Sequence, residues 1–183
     1  MKRQTGFSIT ELMVVVAIVA ILLSIGVPSF RYITNSYRMS AEVNSLLGDL
    51  QYARAEAIRE GQTVTVCAST NRVSCTGGTA WAGGWIVFSD VNSNQTVNPG
   101  DTILRVQSTF AGTVPDTFTA GNNVTAITYN REGFATTAAG FPNTTITLQE
   151  QSSNAAWTRC LRITAVGMLT TETPAHSPSG TCT

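Results

Sequence analysis

The feature that most constrains this chain is a long apolar stretch near its start. Across residues 12–30 no side chain is charged, and most residues are Val, Ile, Leu or Ala. As a helix these residues would span about 28 Å, close to the hydrocarbon thickness of a bilayer. The stretch therefore predicts a membrane-spanning helix. Glu11 lies directly before it, where an unpaired carboxylate costs about 3 kcal/mol in hydrocarbon.

Three interpretations of this segment compete. The first is a plain membrane anchor, and the second is a secretory signal cut at the small-x-small site Ser24-Ile25-Gly26. The third is a short leader, residues 1–6, cut between Gly6 and Phe7. Only the third supplies a partner for Glu11, because the cut exposes an α-amino group on Phe7. In a helical bundle, Glu11 of one subunit then neutralises that amine of a neighbour, and a wrong axial register leaves a buried charge unpaired.

The residues around this cut resemble the type IV prepilin signature. Gly6-Phe7-Ser8-Ile9-Thr10-Glu11-Leu12 has Gly before the cut, Phe first and Glu fifth in the mature chain. The resemblance implies cleavage after Gly6 and N-methylation of Phe7 by a membrane prepilin peptidase. Lys2 and Arg3 precede the apolar stretch, so we expect the N-terminus to stay cytoplasmic and the remainder to lie outside the inner membrane.

The helix is predicted to continue beyond the membrane. Pro28 removes one helix hydrogen bond and predicts a kink in the helix that takes part in assembly. Apolar residues then recur every three or four positions until Gly61, a helix-stop signal. They are Met39, Val43, Leu46, Leu47, Leu50, Ala53, Ala57 and Ile58. The opposite face carries Arg38, Glu42, Asp49, Arg54, Glu56 and Glu60. We therefore expect one helix from Phe7 to Glu60, with its apolar stripe packed on a sheet.

The end of this helix indicates which group of prepilin-like proteins the chain resembles. Residues 50–59 are similar to the helix end of the H-type minor pilins and pseudopilins, the FimT/FimU and GspH group. The resemblance implies an α+β, type IV pilin-like fold, with one long N-terminal helix packed on a β-rich C-terminal head. The expected segments are a leader (1–6), a transmembrane or filament-core helix (7–30), the amphipathic half of the helix (31–61) and a periplasmic head (62–183).

The head is predicted to consist of strands, because the apolar period changes to two after Gln62. The strand candidates are residues 63–67, 84–88, 102–106, 124–129, 145–148 and 160–166. Residues 81–88 also resemble a W-x-x-G-W-x-V-F strand of the H-type family. We expect Trp81 and Trp85 to pack in the core, and an exposed aromatic binding patch is the alternative.

Four cysteines in a chain that looks exported predict two disulfides. Of the three pairings that four cysteines allow, we favour Cys67–Cys75 and Cys160–Cys182, because each closes a local loop. Zinc is the disfavoured alternative, since the chain has no C-x-x-C pair and its lone His176 lies between prolines.

A second metal candidate lies between two predicted strands. Asp90, Asn92, Asn94 and Asp101 occupy positions 1, 3, 5 and 12 of a calcium-loop spacing. Gln95 stands where that loop needs glycine, and position 12 is Asp where Glu is usual. Asn and Asp also serve as turn formers here. We therefore expect no metal and no cofactor.

Catalysis and nucleic-acid binding find little support. The chain has a single histidine and no phosphate-binding or dinucleotide motif, so we expect no enzymatic activity. Some FimT-type proteins bind DNA through a Gly-Arg-x-Arg turn, but the corresponding Gly167-Met168-Leu169-Thr170 lacks both arginines. Arg159 and Arg162 could form part of a basic cluster, although solvated strand residues are the simpler interpretation.

The expected function is that of a structural minor subunit of a type IV pilus, acting in filament assembly. The alternatives are a minor pseudopilin of a type II secretion system and a pilus-associated DNA-binding subunit for natural transformation. The expected partners are other pilin or pseudopilin subunits, the prepilin peptidase and the inner membrane. We expect a single-pass inner-membrane protein with a periplasmic head, which later enters a surface or periplasmic filament.

Overall fold

The structure, a computed structural model, describes residues 8–110, 116–138, 140, 143–150, 154–174 and 182. The described part contains one helix, α1, at Ile9–Glu60. By contacts the chain divides into two compact units, residues 1–37 and 38–183. Gly61 ends α1 with a φ of 69°, in the left-handed region that favours glycine.

The first unit contains the apolar half of α1. Every described side chain across residues 8–34 is exposed. By length and composition this helix is apolar enough to cross a membrane. The helix continues without interruption through Pro28, whose ring nitrogen has no hydrogen to donate to the preceding turn.

The second unit combines the end of α1 with two antiparallel sheets. Sheet A has the strand order β3-β2-β1-β5-β6, and sheet B has the order β4-β7-β8-β9. The strands are β1 Val64–Ala68, β2 Gly84–Ser89, β3 Thr102–Ser108, β4 Thr117–Ala120, β5 Ala126–Tyr129, β6 Ala135–Thr136, β7 Thr144–Gln149, β8 Arg159–Ile163 and β9 Leu169–Glu172. The loop between β1 and β2 meets sheet B where the Trp81 backbone N–H donates to the Phe118 carbonyl of β4, at 2.8 Å. The prediction of an α+β fold, with one long N-terminal helix and a β-rich head, is confirmed.

The apolar stripe of α1 forms one core with both sheets. Six of the eight predicted stripe residues are buried in it: Met39, Val43, Leu46, Leu50, Ala53 and Ala57. Leu47 is partly buried, and Ile58 is half exposed. Trp81 and Trp85 are buried in the same core, so the prediction that they pack inside is confirmed. The alternative of an exposed aromatic patch at these residues is wrong.

The centre of sheet A is buried on both of its faces, which explains why every residue of β1 and β2 is buried, while the edge strand β3 has no buried residue. A small second cluster lies on the face away from α1, and it is covered by two loops. Its buried members are Cys67, Ile86, Phe88 and Ala126, with Cys75, Val97 and Ile103 packed against them. The loops therefore close a second apolar layer over the sheet.

Both disulfides have the pairing that the local loops predict. Cys67 in β1 is bonded to Cys75, which ties the first covering loop to sheet A. Cys160 in β8 is bonded to Cys182, which ties the C-terminal segment to sheet B. No cysteine is free, so the zinc alternative has no thiolate ligand.

We predict that Leu46→Ala in the full-length chain lowers the free energy of unfolding by about 2–5 kcal/mol. The side chain is fully buried where α1 meets the sheets, so its removal leaves a cavity. Denaturant titration in detergent, followed by tryptophan fluorescence, measures the change. Ile58→Ala is the matched control, because Ile58 lies on the same helix but is half exposed. Equal losses for the two variants would contradict the packing described.

Candidate functional site

The start of α1 carries the first candidate site. Ser8 precedes the helix as its cap, and its Oγ accepts a hydrogen bond from the Glu11 N–H at 3.2 Å. Ser8-Ile9-Thr10-Glu11 is a capping-box pattern, with the acid at the third helical position. This second role of the motif is not among the sequence predictions, although the S-x-x-E spacing signals it. Gly6 and Phe7, the predicted cleavage and methylation residues, lie outside the described residues.

Glu11 is exposed at this end of the helix. The N-terminal end of the helix dipole favours a negative charge here. Within the described part of the chain, no ion pair or side-chain hydrogen bond engages its carboxylate. The carboxylate is therefore available to a cation from outside the described residues, and an α-amino group is one such cation.

The second half of α1 holds the head through its polar side chains as well as its apolar stripe. The Asp49 carboxylate accepts hydrogen bonds from Trp85 Nε1 at 2.8 Å and from Arg105 Nη1 at 3.0 Å. The Arg105 guanidinium also lies 3.7 Å from the centre of the Tyr52 ring, a cation–π contact. These contacts join α1 to β2 and β3.

The prediction of a polar face opposite the stripe is therefore only partly right. Glu42 and Glu56 are buried, and Arg38, Asp49 and Arg54 all bind the head. The physical reason is that two sheets and their turns surround more of the helix than one sheet would. Hydrophobic periodicity locates the centre of the buried face but not how far the head extends around it.

Two buried carboxyl groups lie close together beside the start of the second half of α1. Asp116 accepts a hydrogen bond from Arg38 Nη2 at 3.1 Å, and Glu42 is buried next to it. Burial is the main cause that raises the pKa of Glu42 to about 7, with the Asp116 charge adding to it and Arg38 opposing it. Burial also raises the pKa of Asp116, against the pull of Arg38. Glu42 therefore keeps its proton to a higher pH in the folded chain than in the unfolded chain.

The calcium-loop candidate is built as a hydrogen-bonded turn. The Asp90 carboxylate accepts hydrogen bonds from the Asn94 and Gln95 backbone N–H groups and from the Thr65 hydroxyl. The Asp101 carboxylate accepts hydrogen bonds from the Val91 and Asn98 backbone N–H groups. Among the residues that the structure describes, no three His, Cys, Asp or Glu side chains gather as a metal site. The turn interpretation explains these oxygens without a cation.

The two arginines considered for DNA do not form one basic surface. Arg159 and Arg162 are three residues apart on β8, so their side chains leave opposite faces of sheet B. Arg159 donates to the Ser40 hydroxyl at 3.3 Å and to the Ala156 carbonyl at 3.1 Å. Its guanidinium therefore helps to dock α1 on the sheet. The turn that follows β8 carries Met168, which is more than half exposed.

Two family models match the chain. The model described as type II transport protein GspH matches residues 42–167, which is more than half of the 183 residues. The chain belongs to the GspH family. A second model, the prokaryotic N-terminal methylation motif, matches residues 1–27. Together they bear out the resemblance to type IV prepilin-like proteins of the H-type minor pilin and pseudopilin group.

Individual relatives come from Pseudomonas aeruginosa. Two proteins named fimbrial protein are each 36% identical over 69 residues, which is 38% of this chain and 44% of the relative. The chain thus matches less than half the length of these curated relatives. Two crystal structures of the type IV minor pilin FimU are similar at 20% identity, with TM-scores of 0.53 and 0.57. They cover 78% and 81% of this chain and 96% of theirs, and they show the shared fold.

We predict that Glu42 makes this GspH-family chain less stable as the pH rises. Because its folded pKa is raised from 4.5 to about 7, its stabilising contribution is complete below pH 4.5 and is lost as the pH rises through 7. Glu42→Gln mimics the protonated side chain, so its free energy of unfolding should fall less between pH 5 and pH 8. Denaturant titrations at a series of pH values measure this slope.

The control for this pH series is Glu132→Gln. Glu132 is exposed, and its hydrogen bond to Arg131 lowers the pKa, so this variant should keep the wild-type slope above pH 5. Identical slopes for wild type and Glu42→Gln would show that Glu42 does not titrate in this range.

We predict that Asp90→Asn lowers the free energy of unfolding by about 1–3 kcal/mol, because an amide cannot accept all three hydrogen bonds. Neither calcium nor EDTA should shift the melting temperature of the wild type. Asn92→Ala is the control, since Asn92 is exposed in the same loop, and it should change stability by less than about 0.5 kcal/mol. A melting temperature that calcium raises, and that Asn92→Ala makes insensitive to calcium, would establish the metal site instead.

Proposed function

We propose that this chain is a structural minor subunit of a type IV pilus, anchored by α1 before it enters the filament. The observation that carries the proposal is the first unit, in which the apolar helix residues that follow Glu11 are exposed on every side of the helix. A helix that is apolar on every side has to be covered by lipid or by other helices. The methylation motif matched at residues 1–27 supports a role in a pilin-like assembly.

The proposed assembly step is an exchange of lipid for helices. In the membrane, acyl chains cover the apolar half of α1. In the filament, the same half packs against the helices of other subunits. Glu11 then pairs with the α-amino group of Phe7 from a neighbour, and this pairing fixes the axial register because a mismatched register buries two unpaired charges.

Processing and orientation form part of the same proposal. We propose that a prepilin peptidase cuts after Gly6 and methylates Phe7, with the N-terminus on the cytoplasmic side. The positive charges of Lys2 and Arg3 before the apolar stretch support this orientation. Two disulfides in the head support an oxidising compartment such as the periplasm.

The choice of a pilus over a type II secretion pseudopilus rests on the relatives of the chain. The fimbrial relatives and the FimU fold favour a pilus, while the name of the family model favours a type II transport system. Neighbouring genes discriminate between the two systems.

The proposed role is structural rather than enzymatic, since the chain has one histidine and all four of its cysteines are in disulfides. Arg159 already donates a hydrogen bond to the Ser40 hydroxyl of α1, and this makes DNA binding the less favoured role.

We predict that Glu11→Gln reduces incorporation into filaments roughly 100-fold while membrane insertion remains at the wild-type level. The loss is expected because the Phe7 amine of a neighbour is left without a counter-charge, at a cost of about 3 kcal/mol. Quantitative immunoblots of sheared filaments and of membranes, from cells that express the full-length chain, measure the two pools.

Thr10→Ala is the matched control, because Thr10 is the exposed neighbour of Glu11 in the same helical turn. It should enter filaments like the wild type. The intact mass of the incorporated wild-type chain should correspond to a start at methylated Phe7. Normal incorporation of Glu11→Gln would contradict the charge-pairing step, and a mature start at Val27 would contradict the leader itself.

A further inference from the structure

Four large apolar side chains are exposed near the end of α1, and we name them the apolar patch. They are Ile58, Phe134, Val166 and Met168, with 52%, 43%, 50% and 58% of their surface exposed. They come from three separate parts of the head: the last turn of α1, the turn before β6, and the turn between β8 and β9. Neither the proposed anchor nor the core uses these side chains.

Two glycines bring these segments together. A Cβ on Gly133 would lie 3.0 Å from Ile58 Cδ1, and a Cβ on Gly167 would lie 2.4 Å from the Gly133 carbonyl oxygen. Both glycines also have positive φ values, of 81° and 73°. Only residues without a side chain permit this approach. Because Phe134 directly follows Gly133, and Val166 and Met168 flank Gly167, the close packing of the glycines gathers the patch.

Arg54 fixes the turn that carries half of the patch. Its Nη1 donates to the Gly167 carbonyl at 3.0 Å and its Nη2 to the Val166 carbonyl at 3.2 Å. The guanidinium is thus directed at backbone oxygens. Ile58 and Met168 line one cavity of about 490 Å³ together with Gln51, Arg54, Ala55, Gly167 and Leu169. None of these lining residues is acidic, so the surface matches a neutral, apolar partner better than a cationic one.

The size of the patch indicates what kind of partner it serves. With about half of each side chain exposed, it presents on the order of 400 Å² of apolar surface, typical of functional patches on monomers. A stable, independent interface needs about 800 Å² from each partner. A second copy of this chain would therefore bind weakly in solution through this patch alone. A neighbour that is already held by its helix needs less, because tethering raises its effective concentration to the millimolar range.

We propose that the apolar patch is a lateral docking surface for an apolar surface on the head of a different pilin-like subunit in the same filament. This inference rests on the proposed function, since the filament core supplies the tether and a minor subunit has mostly other kinds of subunit as its neighbours. In this arrangement α1 provides most of the binding energy, and the patch selects which neighbouring head is accepted.

Site-specific photo-crosslinking in cells that assemble filaments tests the proposal with the full-length chain. A benzophenone amino acid replaces Met168 in one strain. It replaces Val91 in a control strain, because Val91 is an aliphatic residue on the head with a similar exposure of 61%. A third strain carries it at Leu22, in the apolar half of α1. Mass spectrometry identifies the protein attached to each probe.

We expect the probe at Met168 to capture another protein that carries a prepilin N-terminus, several-fold more efficiently than the probe at Val91. The patch inference is overturned if the Met168 probe captures only a second copy of this chain, only proteins without a prepilin motif, or nothing, while the Leu22 probe captures pilin-like subunits. In that outcome the proposed function stands. If the Leu22 probe captures no pilin-like subunit, the proposed function fails and the patch inference fails with it.

Discussion

The structure depends on the packing of one helix stripe against two sheets. Met39, Leu46 and Leu50 lie in the only core cluster of the described residues that joins α1, sheet A and sheet B. Without α1, each sheet would expose an apolar face to water. The polar contacts of α1, such as Asp49 with Trp85 and Arg54 with Gly167, then fix its rotation and axial position in the head. Burial supplies most of the stability, and these directed contacts supply the specificity.

Much of this fold could be predicted because it follows from periodicity. The length of α1, its end at Gly61 and six of the nine described strands follow from apolar spacing and turn residues. The missed strands carry weak signals. β6 has two residues, and β9 is a threonine-rich edge strand with no buried residue. Such strands form because a neighbouring strand offers free backbone groups, and the local sequence does not record that neighbour.

The candidate sites also differ in whether a local sequence pattern predicts them. The role proposed for Glu11 follows from a local motif, and the same residues form the S-x-x-E pattern that caps α1. The raised pKa of Glu42 depends first on its burial in the fold and then on Asp116, which is far away in sequence, so no local pattern could reveal it. The Asp90 loop shows the opposite problem. The spacing of its Asp and Asn residues fits a cation site. It fits equally a turn in which one carboxylate accepts three hydrogen bonds.

The positions of the disulfides have a mechanical consequence. Cys67–Cys75 lies within sheet A and its loop, and Cys160–Cys182 joins sheet B to the C-terminal segment, so neither cross-link reaches α1. When tension is applied along α1, the noncovalent contacts of the helix with the sheets, such as Arg38–Asp116 and Arg159–Ser40, resist it ahead of the backbone that continues through Gly61 into β1. These contacts run along the helix and are loaded together in shear. The head therefore resists extraction of α1 by sharing force among many weak bonds, and neither disulfide holds the helix in place.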